Sequence, residues 1–245
     1  MLKNRLLSHT ARRTGRGGFT LVELLVVIGI IAILAGVALG PITHGLENAK
    51  ESAGLQTART IALADFQYAN DNGYVYASGT KSEDVAVALI LGQYISDPSI
   101  FAASRNVAFS GTTSSLTLTN GSSGGFPSTA ICWDFMTGPP PATGSGPNTG
   151  LGTSDPDGMP LVFSTGQTVN VPADGSTYTG IQVNQKGTNP FGTNGVAVCF
   201  KSNSAQFLKS TLSNGTAQIN TGANNALFNA SFSVTTPSNY HQIIP

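Results

Sequence analysis

One carboxylate lies within an otherwise apolar stretch near the N-terminus. Between residues 19 and 39, only Thr20 and Glu23 are not apolar. An ionised carboxylate within an apolar membrane span costs about 2.5–3.5 kcal/mol on insertion scales, so such a group is expected to have a partner or a function. Glu23 is therefore the first candidate functional residue.

The remaining polar residues give little support for catalysis. The three histidines, His9, His44 and His241, are far apart in the sequence, and no two have metal-ligand spacing. Residues 121–125 fit the G-x-S-x-G pattern of hydrolases, but that motif requires a strand before it and a helix after it. Here it lies in a Gly/Ser-rich tract. We therefore predict no catalytic residue and no enzyme.

Two carboxylates, Asp155 and Asp157, stand beside Gly158 and resemble the start of a calcium loop. Calcium takes about six to eight oxygen ligands, which closely spaced acidic residues can supply. The rest of the EF-hand pattern is missing, since position twelve from Asp155 is Gly166 and not glutamate. The alternatives are a calcium site at these two residues and an acidic surface turn. No other cofactor is predicted.

The chain has two cysteines, Cys132 and Cys199. Disulfides persist outside the cytoplasm, and a bridge closing a loop of about 68 residues would restrain the unfolded chain by a few kcal/mol. The alternative is two buried thiols on separate strands. The sequence leaves both open, because it does not contain the Cα separation.

The apolar stretch has the length of a membrane-spanning helix, since about 20 apolar residues cross a hydrocarbon core of about 30 Å. No acidic residue precedes it, and basic flanks remain cytoplasmic. We expect residues 1–18 inside and the C-terminal part outside. Without residues 1–18 the net charge is −5, which disfavours nucleic-acid binding. The basic residues before the stretch are Lys3, Arg5, Arg12, Arg13 and Arg16.

The residues Gly18-Phe19-Thr20-Leu21-Val22-Glu23-Leu24-Leu25 closely resemble the N-terminus of type IV pilins and type II secretion pseudopilins. The resemblance implies that a prepilin peptidase cuts after Gly18, that the new N-terminal Phe19 is N-methylated, and that Glu23 acts in filament assembly. Major pseudopilins also hold calcium in a C-terminal loop, which supports the calcium interpretation above. A secretory signal peptide fits less well, because the first Ala-x-Ala begins only at residue 62.

The helix is expected to continue beyond the membrane with an interruption. Proline lacks a backbone donor and clashes with the preceding turn, so we predict a kink or local unwinding at Gly40 and Pro41. An amphipathic half follows over residues 42–72 and ends at Gly73. Asp65 is assigned to its polar face. The predicted buried stripe begins with Leu46, Ala49 and Ala53 and continues with Leu55, Ala58, Ala62, Phe66 and Ala69.

A second helix is predicted from residue 85 to about 95, with Ser82 as its N-terminal cap. The rest of the chain has β character, with short apolar segments between Gly/Asn/Ser/Pro turns. A hairpin is predicted around Ser202-Asn203-Ser204. The predicted strands are 115–119, 129–135, 161–164, 179–183, 195–201, 205–208, 217–219 and 230–235.

Together these features predict an α+β protein with the ladle shape of pilins, a long N-terminal helix packed on an antiparallel β-sheet domain. The predicted segments are a leader, 1–18; a transmembrane and assembly helix, 19–41; the amphipathic half of that helix, 42–72; and a periplasmic globular domain, 73–245. The chain is expected in the inner membrane as a single-pass protein, with its N-terminus cytoplasmic.

The function implied by the resemblance is that of a structural subunit of the periplasmic pseudopilus of a type II secretion system. Its partners would be the prepilin peptidase/N-methyltransferase, other pilin-like subunits, the inner-membrane platform of the secretion system, and the membrane, but no nucleic acid. One alternative is a type IV pilin of a surface filament. Another is a membrane-anchored binding protein that uses loops 110–128 and 137–157.

Overall fold

The computed structural model describes residues 18–102, 116–119, 122–127, 131–138, 148–155, 157–164, 167–169, 181–183, 190–213, 216–219 and 241–243. The chain divides into two compact units, Met1–Leu46 and Glu47–Pro245. The predicted leader, except Gly18, and the predicted strand 230–235 lie outside the described residues. So do parts of the predicted loops 110–128 and 137–157.

Helix α1 extends over Leu21–Asp71 without a break, and Pro41 lies inside it. The unwinding predicted at Gly40 and Pro41 is therefore wrong. Proline removes only its own N–H from the helical hydrogen-bond pattern, and the adjoining turns remain helical. The hydroxyl of Thr43 donates to the Gly40 carbonyl at 2.8 Å. A bend of the helix axis at this point stays a prediction.

The C-terminus of α1 has the predicted glycine cap. Gly73 has a φ of 71°, in the left-handed region that a residue with a Cβ rarely adopts. The N–H of Tyr74 then donates to the carbonyl of Ala69 at 2.7 Å. This backbone bond satisfies a carbonyl that the helix itself leaves unpaired.

The buried face of α1 differs in part from the predicted stripe, whose first residues, Leu46, Ala49 and Ala53, are exposed because the buried face begins only at Gly54. Asp65, assigned to the polar face, is only 1% exposed, whereas Phe66, assigned to the buried stripe, is 43% exposed. Both assignments are wrong, because at this turn the side of the helix that faces the core contains residue 65 and not residue 66. The buried residues of α1 are Gly54, Ala58, Ile61, Ala62, Ala64, Asp65 and Ala69.

Helix α2 extends over Ser82–Leu91, which is earlier at both ends than predicted. The N-cap is Lys81, so Ser82 is not the cap. The backbone N–H of Lys81 donates to the Asp84 carboxylate at 2.9 Å. Asp84 is the third residue of α2, and a side chain at this position that accepts the N–H of the N-cap residue stabilises the first turn. Gly92 caps the C-terminus of the helix, and the next residue, Gln93, has a φ of 63°.

The strands, all paired antiparallel, form two sheets among the described residues. The sheet order is β10-β3-β4-β7-β8-β9-β6-β5, with β1 and β2 forming a separate pair. The strands are β1 Thr117–Thr119, β2 Ser122–Gly124, β3 Trp133–Thr137, β4 Pro160–Ser164, β5 Gln167–Val169, β6 Ile181–Val183, β7 Gly195–Phe200, β8 Ala205–Ser213, β9 Thr216–Ile219 and β10 His241–Ile243. This is the predicted α+β arrangement of a long helix and an antiparallel sheet.

The predicted hairpin is confirmed between β7 and β8, with its loop one residue longer than expected. Strand β7 ends at Phe200 and β8 begins at Ala205, so the loop comprises residues 201–204. The N–H of Phe200 donates to the Ser204 carbonyl at 2.9 Å and closes this loop. Asn203 has a φ of 59°, a conformation that asparagine tolerates better than most residues.

Strands β2, β5 and β10 were not predicted. Ser122–Gly124 contains only serine and glycine, and its pairing with β1 uses backbone groups. Such a strand has no apolar alternation for a sequence pattern to detect. By contrast, every residue of β3, β4 and β7 is buried. These central strands pack with α2 and the C-terminal half of α1 into one hydrophobic core.

Candidate functional site

The N-terminus of α1 carries a reciprocal hydrogen-bonded pair between Thr20 and Glu23. The backbone N–H and the hydroxyl of Thr20 both donate to Glu23 Oε2, at 2.9 Å and 2.8 Å. In return, the backbone N–H of Glu23 donates to the Thr20 hydroxyl oxygen at 3.2 Å. This is a capping box, which satisfies backbone donors that the first turn of a helix leaves unpaired.

The capping box orients the Glu23 carboxylate. Its Oε2 atom faces back to the N-terminal end of α1, where Thr20 follows directly on Phe19. The sequence pattern indicated Gly18, Phe19 and Glu23, whereas the contribution of Thr20 was not predicted. The signal was present, because Thr-x-x-Glu before an apolar run is the sequence pattern of a capping box.

The helix that follows the box is exposed on every side. All residues from 18 to 50 are exposed, and Phe19 has 82% of its surface accessible. By length and composition, α1 qualifies as a membrane-crossing helix in the described part of the chain, and none of its most apolar window is buried. Apolar surface on this scale requires a cover of lipid or protein.

The loop that contains Asp155 and Asp157 is bonded to a lysine. Lys201 Nζ donates to the carbonyl oxygens of Thr153 and Asp155, at 2.6 Å and 2.5 Å. It also pairs with Asp157 Oδ1 at 3.3 Å. The Asp155 carboxylate lies elsewhere in the loop, where its Oδ2 accepts the Gly152 N–H at 2.7 Å.

These residues do not fit the predicted calcium site. A lysine ammonium already contacts three of the oxygens that would have to face the ion, and it would repel a second cation there. No group of three or more His, Cys, Asp or Glu side chains suited to a metal occurs in the described part of the chain. The two aspartates at this turn therefore serve the loop itself.

The two cysteines are buried thiols, and the disulfide between Cys132 and Cys199 does not form. Strand β4 lies between β3 and β7, and Val162 pairs with both Phe135 and Cys199. The backbones of β3 and β7 are thus about 9–10 Å apart by strand spacing alone. Disulfide-linked residues have Cα atoms about 4.4–6.8 Å apart. Cys132 directly precedes β3 and Cys199 lies on β7, so β4 separates the two segments and the predicted bridge is wrong.

Two further buried carboxylates, which the sequence analysis did not assign to a site, hold the helices to their neighbouring segments. Asp65 Oδ1 accepts the Ala77 N–H at 2.8 Å. Burial raises the pKa of Asp65 to about 7, although the Ala77 hydrogen bond lowers it. Asp84 accepts the N–H groups of Thr80, at 2.7 Å, and Ser123, at 2.6 Å. Both carboxylates act on backbone donors and thus stabilise the fold.

A family model described as the prokaryotic N-terminal methylation motif matches residues 13–39. The match covers the predicted cleavage position, the Thr20–Glu23 capping box and the apolar half of α1. Together with the long helix and the antiparallel sheet, this motif supports a type IV pilin-like protein. No curated protein and no solved structure matches the chain in the other two comparisons.

Proposed function

We propose that this protein is a structural subunit of the periplasmic pseudopilus of a type II secretion system. The observation that carries the proposal is the methylation motif over residues 13–39, at the start of a helix whose apolar half is exposed on every side. A helix of this kind serves first as a membrane anchor and then as the contact between subunits of a filament. No catalytic role is proposed.

Maturation would begin with cleavage after Gly18 by a prepilin peptidase, followed by N-methylation of Phe19. Cleavage creates an α-amine on Phe19, and methylation leaves it charged. The Glu23 carboxylate faces this end of α1 through the capping box with Thr20. In the apolar interior of a filament the amine and the carboxylate would offset each other's desolvation, because leaving either one unpaired costs several kcal/mol.

The location follows from the same features. Before assembly, α1 would cross the inner membrane once, with residues 1–18 cytoplasmic and the β-sheet domain periplasmic. After assembly, the helices of neighbouring pilin-like subunits would replace lipid around the apolar surface. The inner-membrane platform of the secretion system and the peptidase/N-methyltransferase are the further partners of this model.

The maturation is tested by mass spectrometry of the protein purified from its native membrane. We expect an N-terminus at Phe19 with one added methyl group. An intact Met1, or an N-terminus near Ala64, would contradict the proposal.

The role in secretion is tested by deleting the gene and comparing secreted proteins with surface filaments. The expected result is that secreted enzymes remain in the periplasm while surface filaments are unchanged. Loss of surface filaments with normal secretion would instead identify a type IV pilin. Normal secretion and normal filaments would point to the membrane-anchored binding protein.

A further inference from the structure

The Lys201 ammonium lies in an enclosure made by the loop that precedes β4. Only 4% of the Lys201 side chain is exposed, although lysine is rarely buried unless it is paired. Its three N–H donors meet three acceptors, the carbonyls of Thr153 and Asp155 and the carboxylate of Asp157. The number of donors thus equals the number of acceptors, which is the condition for burying an ammonium without an unsatisfied N–H.

Backbone hydrogen bonds hold the same two segments together. The N–H of Lys201 donates to the Met159 carbonyl at 2.9 Å, and the N–H of Ser202 donates to the Asp157 carbonyl at 3.0 Å. The loop is also bonded to the segment just after α1, where the Thr153 N–H donates to the Tyr74 carbonyl at 3.1 Å. The lysine therefore lies where the β7–β8 hairpin, the loop and the end of α1 meet.

We propose that Thr153, Asp155 and Asp157 form a cation-binding site whose cation is the ammonium of this chain's own Lys201. The ammonium of Lys201 binds the oxygens that converge here, as a metal ion would in a calcium loop. The conformation of this loop therefore does not require calcium. This inference goes beyond the proposed function and does not depend on it, because it concerns how the globular unit is stabilised.

The charges and ligands favour the ammonium over calcium at this position. Calcium needs about six to eight oxygens at about 2.3–2.6 Å, whereas an ammonium needs three acceptors at hydrogen-bonding distance. One oxygen of the Asp155 carboxylate, Oδ2, already accepts the Gly152 N–H at 2.7 Å. A second cation beside the ammonium would add repulsion in a partly desolvated site.

Amine labelling of the full chain in detergent micelles tests the proposal directly. The probe is a lysine-reactive ester, applied in calcium chloride and separately in EGTA, with each modified lysine quantified by peptide mass spectrometry. Lys209 on β8 is exposed and is the matched control. We expect Lys201 to be labelled on the order of tenfold more slowly than Lys209 in both solutions.

Two substitutions test the energetic contribution. Lys201→Met keeps the aliphatic stem but removes the ammonium, so we expect a lower Tm than that of the wild type, whereas Lys209→Met should melt with the wild type. The Tm of the wild type should be equal in calcium chloride and in EGTA. If Lys201→Met does not fold, the labelling experiment still decides.

Three results would overturn the proposal. One is labelling of Lys201 at the rate of Lys209 in EGTA. Another is a Tm for Lys201→Met equal to that of the wild type. The third is a calcium-dependent rise in the wild-type Tm that the substitution Asp157→Asn abolishes, because this would place calcium at the loop.

Discussion

At the scale of single residues, the N-terminal site depends on how one carboxylate is held. The Glu23 side chain alone would have several rotamers along an exposed helix. Three hydrogen bonds with Thr20 keep it at the first turn. A negative charge at this end of a helix is favoured by the helix dipole by about 0.3–1 kcal/mol. The capping box therefore places the carboxylate beside the position where the proposed cleavage would create the amine.

Glu23→Ala should separate assembly from processing. Insertion and cleavage depend on the apolar length and on the leader, whereas the paired charge matters once the helix enters an apolar filament interior. We expect normal cleavage. The filament yield should fall at least about tenfold, because an unpaired buried amine costs more than the roughly 1.4 kcal/mol that corresponds to a factor of ten in an equilibrium. The measurement is the ratio of cut subunit in sheared filaments to cut subunit in membranes.

The matched control is Glu47→Ala, an exposed glutamate of the same helix that lies beyond the apolar stretch. This variant should assemble like the wild type. Accumulation of uncut Glu23→Ala protein would show that Glu23 serves peptidase recognition instead. Assembly of the variant at the wild-type level would contradict the charge pair.

Asp65 should make the stability of the globular unit depend on pH. Burial raises its pKa from 3.8 to about 7. Between these values the unfolded carboxyl is ionised while the folded one keeps its proton, so unfolding releases a proton. The free energy of unfolding should therefore fall as the pH rises through this window, by up to about 1.4 kcal/mol per pH unit.

Asp65→Asn should flatten this slope, as measured by urea unfolding at a series of pH values. The amide oxygen can still accept the Ala77 N–H. Asp97→Asn is the control. Hydrogen bonds from Ser99 lower the pKa of that exposed carboxyl, so its titration changes the stability only at pH values below the range in which Asp65 acts. An unchanged slope in Asp65→Asn would show that another group is responsible.

At the scale of elements, α1 packs closely against the segment that precedes β7 at Gly54, a residue without a side chain. A Cβ added to Gly54 would lie 2.3 Å from Cζ of Phe191. The Phe191 ring packs edge-on against Phe207, with ring centroids 5.2 Å apart. The glycine thus lets the helix backbone lie against an aromatic pair. This explains why a poor helix former occurs at the start of the buried face.

Gly54→Leu should destabilise the globular unit by about 1–3 kcal/mol, because a large side chain forces the packed Phe191 ring to move. Gly45→Leu is the matched control on the same helix, since nothing lies within 4 Å of a Cβ at that position. The control should be neutral or slightly stabilising, as leucine is the better helix former. Equal Tm values for the two variants in thermal unfolding would contradict the close contact.

At the scale of the whole molecule, the chain separates into a unit whose described residues, 18–46, are all exposed and a unit with the hydrophobic core. The boundary falls at Leu46 and Glu47, inside the continuous helix α1. The first buried residue of α1 is Gly54. The core therefore requires only the C-terminal part of this helix, and the exposed apolar part is available for membrane and subunit contacts.

A protein containing residues 45–245 should thus fold as a soluble monomer. It retains every buried residue of α1 and loses the apolar stretch that would drive aggregation. Size-exclusion chromatography and circular dichroism check this, with a cooperative thermal transition as the expected result. Aggregation, or loss of the β signal, would mean that the N-terminal half of the helix is needed for the core.

The sequence by itself determined the features that depend on neighbours along the chain. The methylation motif, the membrane-spanning length, the glycine that ends α1 at Gly73 and the β7–β8 hairpin are all readable within a few residues or by counting apolar length. The capping box of Thr20 and Glu23 belongs to this group, because its two residues lie within one helical turn.

Only the tertiary structure decided which distant segments meet. Strand order placed β4 between β3, which Cys132 directly precedes, and β7, which contains Cys199. Packing against the core turned Asp65 inward, and the β7–β8 turn brought Lys201 to the oxygens of Asp155 and Asp157. These outcomes depend on pairing across long sequence separations. Local propensity does not encode such pairing, since the same short strands fit several orders and only packing of the whole core selects one.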